Sequence, residues 1–292
     1  MSELTKRVLF AVAAIPVVAT AVWFGGAALA VLLAVAAALG AWEYGRLAEA
    51  AGARPMKAWG IVLSALIPLA THAVHLGLWV PPLGMVALVA PLLLTVALWT
   101  RGPTGHPMES VATTLFGAWY TGGMLAFAYA LRYHRFAIGA LAGALLLMLP
   151  LVLTWLNDSG AFFFGKLFGK RKLMPSVSPG KTIAGAVGAL VLCMVVAWAY
   201  QRWVLVPNAS LALRPLVPAL AATGALLFGA IISVAAQLGD LAESLIKRES
   251  GVKDSSHLLP GHGGVLDRLD SLFFVLPVAY LAFDWLLLPA LR

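Results

Sequence analysis

The sequence predicts an all-α, polytopic integral membrane protein with about nine transmembrane helices and a cytoplasmic N-terminus. Three observations support this fold class. Hydrophobic residues make up 62% of the chain and charged residues only 11%, and the mean hydropathy is +0.93. Apolar runs of about 20 residues, the length that crosses a hydrocarbon core, recur along the chain. Basic residues are concentrated in alternate loops, as the positive-inside rule requires of cytoplasmic loops.

The apolar runs define the predicted spans in order. The first two are separated only by Phe24 to Ala27, and we interpret them as a tight hairpin because about 35 apolar residues exceed a single crossing. The spans lie near residues 8–24, 26–42, 58–76, 79–99, 111–131, 137–156, 182–203, 216–239 and 271–290.

The distribution of Lys and Arg gives the orientation. With the N-terminus inside, fifteen of the twenty basic residues fall in inner segments and five in outer ones. The formal net charge of +8 therefore reflects topology and attraction to anionic lipid headgroups. It does not indicate a nucleic-acid partner.

The first 135 residues contain few chemically informative groups. Glu43, Glu49, Arg46 and Arg54 are interpreted as solvated residues where the second span leaves the membrane. His72 and His75 could share a helix face, but two histidines without a third ligand are a weak metal signal. We expect an interfacial position for them.

A polar segment follows the sixth span. The stretch NDSGAFFFGKLFGKRKLMPSVSPGKT begins with Asn157 and Asp158 and is rich in Gly and Lys, so a phosphate-bearing ligand is a sensible partner. A nucleotide-binding P-loop is excluded because position 175 is Pro and no strand is expected. Ser178, Lys181 and Thr182 instead predict an anion site at the start of the seventh span.

A second polar segment separates the last two spans. In LGDLAESLIKRESG, the residues Asp240, Ser244 and Lys247 fall on one helix face, and Glu243 borders it. The stretch KDSSHLLPGHGGVLDRLDS then forms a compact turn, after which Asp267 and Asp270 share a face of the last helix.

Carboxylates at the margin of a bilayer need a compensating cation. Asp267 and Asp270, with Asp240 and Asp158 brought near by folding, would form an oxygen-rich site that suits Mg²⁺. The neighbouring basic side chains would then bind phosphate. His257 and His262 are five residues apart, but no cysteine or third histidine is near them, so zinc is not favoured.

The segment SLIKRESGVKDSSHLLPGHGGVLDRLD, residues 244–270, closely resembles the C-terminal signature of the phosphatidate cytidylyltransferase family. The resemblance extends to LGDLAES, to NDSGAFFFGKLFGK and to SPGKT. Ala184 stands where relatives usually have Glu, which puts any role of that glutamate in doubt here.

The resemblance implies a membrane enzyme that condenses CTP with phosphatidic acid to CDP-diacylglycerol and pyrophosphate. It implies Mg²⁺, with room for a second cation, and a homodimer among membrane lipids. The implied metal ligands are Asp240, Asp267 and Asp270, with Asp158 as an addition; the three C-terminal aspartates and Lys253 form the implied catalytic set. The implied substrate-binding and phosphate-binding residues are Ser178, Lys181, Thr182, Ser244, Lys247, Arg248, His262 and Arg268.

We therefore expect a single membrane domain, 1–292, with helical spans in 1–135 and a catalytic half in 136–292 that carries cytoplasmic loops 157–181 and 240–270. A bacterial inner membrane is the expected location, with the active site on the cytoplasmic side.

A CDP-alcohol phosphotransferase is the nearest alternative, although its Asp-Gly-x-x-Ala-Arg motif is absent. A secondary transporter is a more distant one, since its polar residues should lie at the bilayer midplane. Replacing Asp267 or Asp270 by Asn is expected to abolish turnover and leave membrane insertion and folding intact.

Overall fold

The structure is a computed structural model that describes residues 3–134, 137, 139–208, 222–259, 261 and 263–287. Helices form nearly all of this part of the chain. Their bounds are α1 Glu3–Phe24, α2 Gly26–Ala50, α3 Lys57–His75, α4 Leu83–Thr100, α5 Pro107–Ala118, α6 Met124–Arg132, α7 Gly139–Phe168, α8 Ile183–Tyr200, α9 Ala222–Glu249 and α10 Leu266–Ala282.

Shorter elements complete the described chain. A 3-10 turn lies at Pro103–Gly105, and π-helical turns lie at Trp119–Gly123, Gln201–Leu205 and Phe283–Leu287. Two strands, β1 Lys172–Met174 and β2 Ser178–Thr182, pair antiparallel with Lys172 opposite Thr182.

Within the described residues, six helical segments are long and apolar enough to cross a membrane: Gly26–Ala50, Lys57–His75, Leu83–Thr100, Gly139–Phe168, Ile183–Asn208 and Ala222–Glu249. This confirms the all-α polytopic membrane fold. The number of nine spans and the side of the N-terminus stay predictions. The apolar part of α1 over Ala14–Phe24 is shorter, and residues 216–221 and 288–290 of the last two predicted spans lie outside the described residues.

The chain divides into two compact units, and the first comprises residues 1–129 and 246–269. In it, α2 packs along α3, and α5 contacts both α3 and α4. The Ser64 hydroxyl donates to the Ala37 carbonyl at 2.9 Å and lies 2.7 Å from the Thr121 hydroxyl. Polar contacts of this kind, together with close packing, join membrane helices where no hydrophobic effect drives them together.

The second unit comprises residues 130–245 and 270–292. In it, α7 packs along α8. Small residues permit the close approach: a Cβ on Gly160 would lie 3.3 Å from the Cα of Ala189. On α9, a Cβ on Gly229 would overlap the Cys193 carbonyl. The backbones of α7, α8 and α9 are thus in contact through glycine, as in other membrane helix pairs.

The polar segment after the sixth predicted span differs from expectation. Residues 157–168, which we expected to begin a loop, form the last turns of α7. The expectation of no strand in this segment is also wrong, because Lys172–Met174 form β1 and SPGKT itself, Ser178–Thr182, forms β2. The reason is local: the residues around Pro175 reverse the chain, so two short segments pair although neither alternates in polarity.

Candidate functional site

A cavity of about 520 Å³ lies in the second unit. We call it the lysine–aspartate cavity; it lies among the last turns of α7, the β1–β2 hairpin, the start of α8 and the middle of α9. Its charged lining residues are Asp158, Lys166, Lys172, Lys181 and Asp240. Three ammonium groups and two carboxylates therefore line a single concave surface.

Asp240 and Lys181 form the central ion pair of this cavity. Lys181 Nζ lies 2.8 Å from Asp240 Oδ2, and both side chains are partly buried. Ser244, one turn along α9, donates from its hydroxyl to Asp240 Oδ1 at 3.4 Å. This contact agrees with the predicted helix face, and α9 also carries Lys247.

Thr182 ends the hairpin and begins α8. Its hydroxyl oxygen accepts a hydrogen bond from the Gly185 N–H at 3.1 Å, so it is the N-cap of the helix. A Cβ on Gly169 would lie 2.8 Å from this hydroxyl oxygen, and one on Gly165 would lie 3.0 Å from it. These two glycines line the cavity, and they are needed there because α7 packs against Thr182.

A buried polar chain crosses this unit and was not predicted from the sequence. The Ser233 hydroxyl donates to Asn157 Oδ1 at 2.7 Å. Gln237 donates from Nε2 to the Ser233 hydroxyl at 3.0 Å and to the Ala186 carbonyl at 3.1 Å. Asn157 in turn lies beside Asp158, with Nδ2 to Oδ1 at 3.4 Å. The sequence signal for this polar chain was the presence of Ser233 and Gln237 inside an apolar run, because polar residues within membrane helices form hydrogen bonds to neighbouring helices.

Residues 246–269 of the sequence signature lie in the first unit, and Asp270 lies in the second. Residues 250–265, which we call the signature loop, join α9 to α10. Asp267, in the first turn of α10, binds both sides of this loop. Its Oδ1 accepts from Lys247 Nζ at 2.7 Å, while its Oδ2 accepts from the Ser255 N–H at 2.9 Å, the Ser255 hydroxyl at 2.8 Å and the Gly264 N–H at 2.8 Å.

These contacts determine the acidity of Asp267. Burial alone would raise the pKa of its carboxyl, but the hydrogen bond and charge of Lys247 and the N–H groups of Gly264 and Ser255 outweigh burial, so the pKa lies below its usual value of 3.8. Asp267 therefore stays ionised in the folded protein near neutral pH.

Glu43 of α2 is the functional candidate that the sequence reading misplaced. The expectation that it is a solvated residue is wrong, since its side chain is fully buried. Its two oxygens accept hydrogen bonds from Ser256, Val265 and Leu266, and Oε2 lies 3.1 Å from the Ser255 hydroxyl; all four residues are in or next to the signature loop. The available signal was a glutamate at the end of an apolar run, which is compatible with water and also with a buried position among partners.

The other predicted site residues have varied positions. Lys253, Arg268 and Asp158 are exposed, and Arg248 is exposed with its guanidinium 3.3 Å from the Val252 carbonyl. Asp270 is half-buried on α10, with Oδ1 2.6 Å from the Ser271 N–H. Ser178 lies in β2. His262 lies outside the described residues.

Within the part of the chain that the structure describes, no group of three or more His, Cys, Asp or Glu side chains is gathered so as to hold a metal ion. The predicted set of Asp158, Asp240, Asp267 and Asp270 stays a prediction. Asp158 and Asp240, with the side-chain amides of Asn157 and Gln237, give the lysine–aspartate cavity hard oxygen donors. That donor set suits Mg²⁺, which typically uses only one or two carboxylates and takes its other oxygens from water and phosphate.

Several known proteins have similar sequences. The phosphatidate cytidylyltransferase of Haemophilus influenzae is 44% identical over 147 residues, 50% of this chain and 48% of the relative. That of Bacillus subtilis is 46% identical over 129 residues, 44% of each chain, so these alignments span about half the length of the relatives. The phosphatidate cytidylyltransferase of Staphylococcus saprophyticus is 35% identical over 202 residues, 69% of this chain and 70% of the relative.

The sequence also matches the model of the cytidylyltransferase family over residues 5–286. That range includes both the lysine–aspartate cavity and the signature loop. With this match and a relative aligned over more than two thirds of its length, the chain belongs to the cytidylyltransferase family.

Proposed function

We propose that this protein is a phosphatidate cytidylyltransferase, which transfers the cytidylyl group of CTP to phosphatidic acid and releases pyrophosphate. The observation that carries the proposal is the lysine–aspartate cavity, in which the Lys181–Asp240 pair lies among further lysines. The names of the relatives supply the substrate class. As a member of this family with apolar helices, the protein would act on a lipid substrate within its own bilayer.

The cavity has the charge to bind a triphosphate. The cavity contains three ammonium groups, those of Lys166, Lys172 and Lys181. Unlike the rigid, planar guanidinium of arginine, an ammonium on a flexible side chain can reorient to different phosphate oxygens. The first turn of α8 adds N–H groups and the positive end of its helix dipole. A volume of about 520 Å³ is within the range of small-molecule sites.

We propose that Asp240 and Asp158 hold Mg²⁺ in this cavity, because they are its two carboxylates. The bound ion would neutralise charge on the phosphate oxygens of the nucleotide. The predicted second cation, and the ligand roles of Asp267 and Asp270, stay part of the proposal. Asp267 already accepts four hydrogen bonds, so its role in this structure is to order the signature loop.

The exposed cations of the signature segment would bind phosphate. Lys253 and Arg268 are exposed, and Arg can bind phosphate through two parallel N–H donors. Lys247 pairs with Asp267, so its charge mainly stabilises the signature loop. Ser178, Ser244, Arg248 and His262 complete the set proposed for the substrates.

The reaction balances without a base from the protein. An oxygen of the lipid phosphate attacks the α-phosphorus of CTP, the bond from that phosphorus to the bridging oxygen breaks, and pyrophosphate leaves with the electron pair. A phosphate monoester is already ionised near neutral pH. The work of the side chains is to align two polyanions and to neutralise the charge that develops on the leaving group.

The proposed location is the bacterial inner membrane, with the active site on the cytoplasmic side and the protein a homodimer. The excess of basic residues in the inner segments supports the orientation. A reporter fused after Arg292 should read as external. An internal signal would refute the odd number of spans.

The direct test uses the purified chain with radiolabelled CTP, phosphatidic acid and Mg²⁺, each omitted in turn. Labelled CDP-diacylglycerol should form only in the complete mixture. A Lys181→Gln variant should lose at least about tenfold in kcat/KM, as expected when one charged phosphate contact is removed. Lys57→Gln is the matched control, because Lys57 also pairs with a carboxylate at 2.8 Å but lies outside the cavity.

The proposal fails if the wild-type protein forms no labelled liponucleotide in the complete mixture. The assignment of the cavity fails separately if Lys181→Gln and Lys57→Gln retain equal kcat/KM. Once the wild-type reaction is established, comparing the two variants thus tests whether the cavity is its site.

A further inference from the structure

Glu43 makes an unusual set of contacts for a residue in a membrane-spanning helix. Its side chain is fully buried, near the end of α2. Oε1 accepts from the Ser256 hydroxyl at 2.6 Å and the Val265 N–H at 2.9 Å. Oε2 accepts from the Leu266 N–H at 2.7 Å and lies 3.1 Å from the Ser255 hydroxyl, whose single proton goes to the nearer Asp267. One carboxylate therefore joins the middle and the end of the signature loop to α2.

The Ser255 hydroxyl connects this contact set to Asp267. It lies 3.1 Å from Glu43 Oε2 and 2.8 Å from Asp267 Oδ2. Asp267 in turn holds Lys247 at 2.7 Å. A displacement of Glu43 would therefore reach the Lys247–Asp267 pair through one hydroxyl group.

Gly264 shows how closely Glu43 approaches the loop. A Cβ at this position would collide with the Ser255 hydroxyl and with both oxygens of Glu43. The N–H groups of residues 264–266 at the start of α10 are all bound by Glu43 or Asp267. The two carboxylates thus satisfy donors that a helix start leaves without intrahelical partners.

We propose that Glu43 is a positioning residue of the enzyme, which fixes the signature loop and through it the Lys247–Asp267 pair. This inference rests on the proposed function for its effect on turnover, but not for its effect on the loop. Glu43 is not among the residues that line the lysine–aspartate cavity. It acts by accepting three hydrogen bonds through both of its oxygens, which a carboxylate can do and an amide, with one oxygen and one NH₂ group, cannot.

The test is Glu43→Gln in the purified full chain, with Glu49→Gln as the matched control. Glu49 lies on the same helix, is exposed and pairs with Lys57. For Glu43→Gln we expect kcat to fall at least about tenfold, because hydrogen bonds to a charged group are lost. The KM for CTP should stay within about twofold, since the loop does not line the cavity. Glu49→Gln should match the wild type.

A second readout needs no substrate. Lys253 is an exposed trypsin site within the signature loop, and Lys170 is an exposed site in the other unit. Limited proteolysis followed by mass spectrometry gives the ratio of cleavage at these two sites. Glu43→Gln should raise this ratio about tenfold or more, since cleavage follows the population of the opened loop. A general loss of stability would raise both cleavages together.

Ser256→Ala is a milder variant that removes one contact to Glu43 and is used if Glu43→Gln does not fold. It should raise the cleavage ratio and lower kcat about threefold, the effect of one hydrogen bond. The inference is overturned if the variants that fold leave both the ratio and kcat unchanged. If the wild type lacks cytidylyltransferase activity but the ratio rises as expected, the proposed function fails while the role of Glu43 in the loop stands.

Discussion

Asp267 offers the sharpest test of how the signature loop is held. In an Asp267→Asn variant, the one remaining side-chain oxygen can accept from the three loop donors, Ser255 N–H, Ser255 hydroxyl and Gly264 N–H. The amide nitrogen then faces the ammonium group of Lys247. An attractive contact at 2.7 Å is replaced by one between two donors.

The expected cost follows from burial. The Lys247 and Asp267 side chains are 13% and 5% exposed, and removing one partner of a buried ion pair costs about 3–5 kcal/mol. We expect the lower end, about 3 kcal/mol, because Lys247 keeps some contact with water. At roughly 2–4 °C per kcal/mol, the melting temperature should fall by about 6–12 °C. This revises the expectation that the substitution leaves folding intact.

The assay is thermal unfolding in detergent, followed by tryptophan fluorescence, on wild type, Asp267→Asn and the control Asp254→Asn. Asp254 is an exposed carboxylate of the same loop, so its replacement should change the melting temperature by less than about 2 °C. Adding Lys247→Met to Asp267→Asn should restore part of the loss, because no unpaired charge is then buried. Equal melting temperatures for Asp267→Asn and wild type would refute this account of the loop.

Three further predictions follow from single contacts. Since the pKa of Asp267 lies below 3.8 in the folded state, its stabilising effect is present above that pH and is lost as the pH falls; the melting temperatures of wild type and Asp267→Asn should therefore converge in acid. Thr182→Ala removes the N-cap of α8 and should cost about 1 kcal/mol of stability, measured by denaturant unfolding, while Thr182→Ser should not. Asp240→Asn frees its lysine partner, so CTP measured by calorimetry without Mg²⁺ should bind at least about threefold more tightly to this variant than to wild type, and weaker binding would contradict that reading.

Much of the helical architecture could be predicted because each membrane helix satisfies its own backbone hydrogen bonds. The prediction that a helix begins directly after Ser178, Lys181 and Thr182 agrees with the structure, in which α8 begins at Ile183. So does the placement of Asp267 and Asp270 together on α10. These features depend on residues close in sequence, where apolar runs and capping residues are informative.

Glu43 could not be placed from local pattern, because its partners are more than two hundred residues away in sequence. A glutamate at the end of an apolar run is compatible with water or with a buried loop. The hairpin of β1 and β2 was missed for another reason. Its strands have three and five residues, too few for periodicity to separate a strand from a loop.

Each unit contains a lysine–aspartate pair: Lys181 with Asp240 in the second, and Lys247 with Asp267 in the first. The two pairs are not equivalent. Asp267 accepts three further hydrogen bonds from the signature loop, whereas Asp240 accepts only one weak contact from Ser244 among those given by the described residues.

Opening the first pair would release a loop, and opening the second would leave one carboxylate and one ammonium in a cavity. A ligand that brings both a cation and an anion can replace both partners of the cavity pair, and a nucleoside triphosphate with its divalent ion is such a ligand. The looser pair is therefore the one suited to bind substrate, and the tighter pair is the one suited to hold the structure around it.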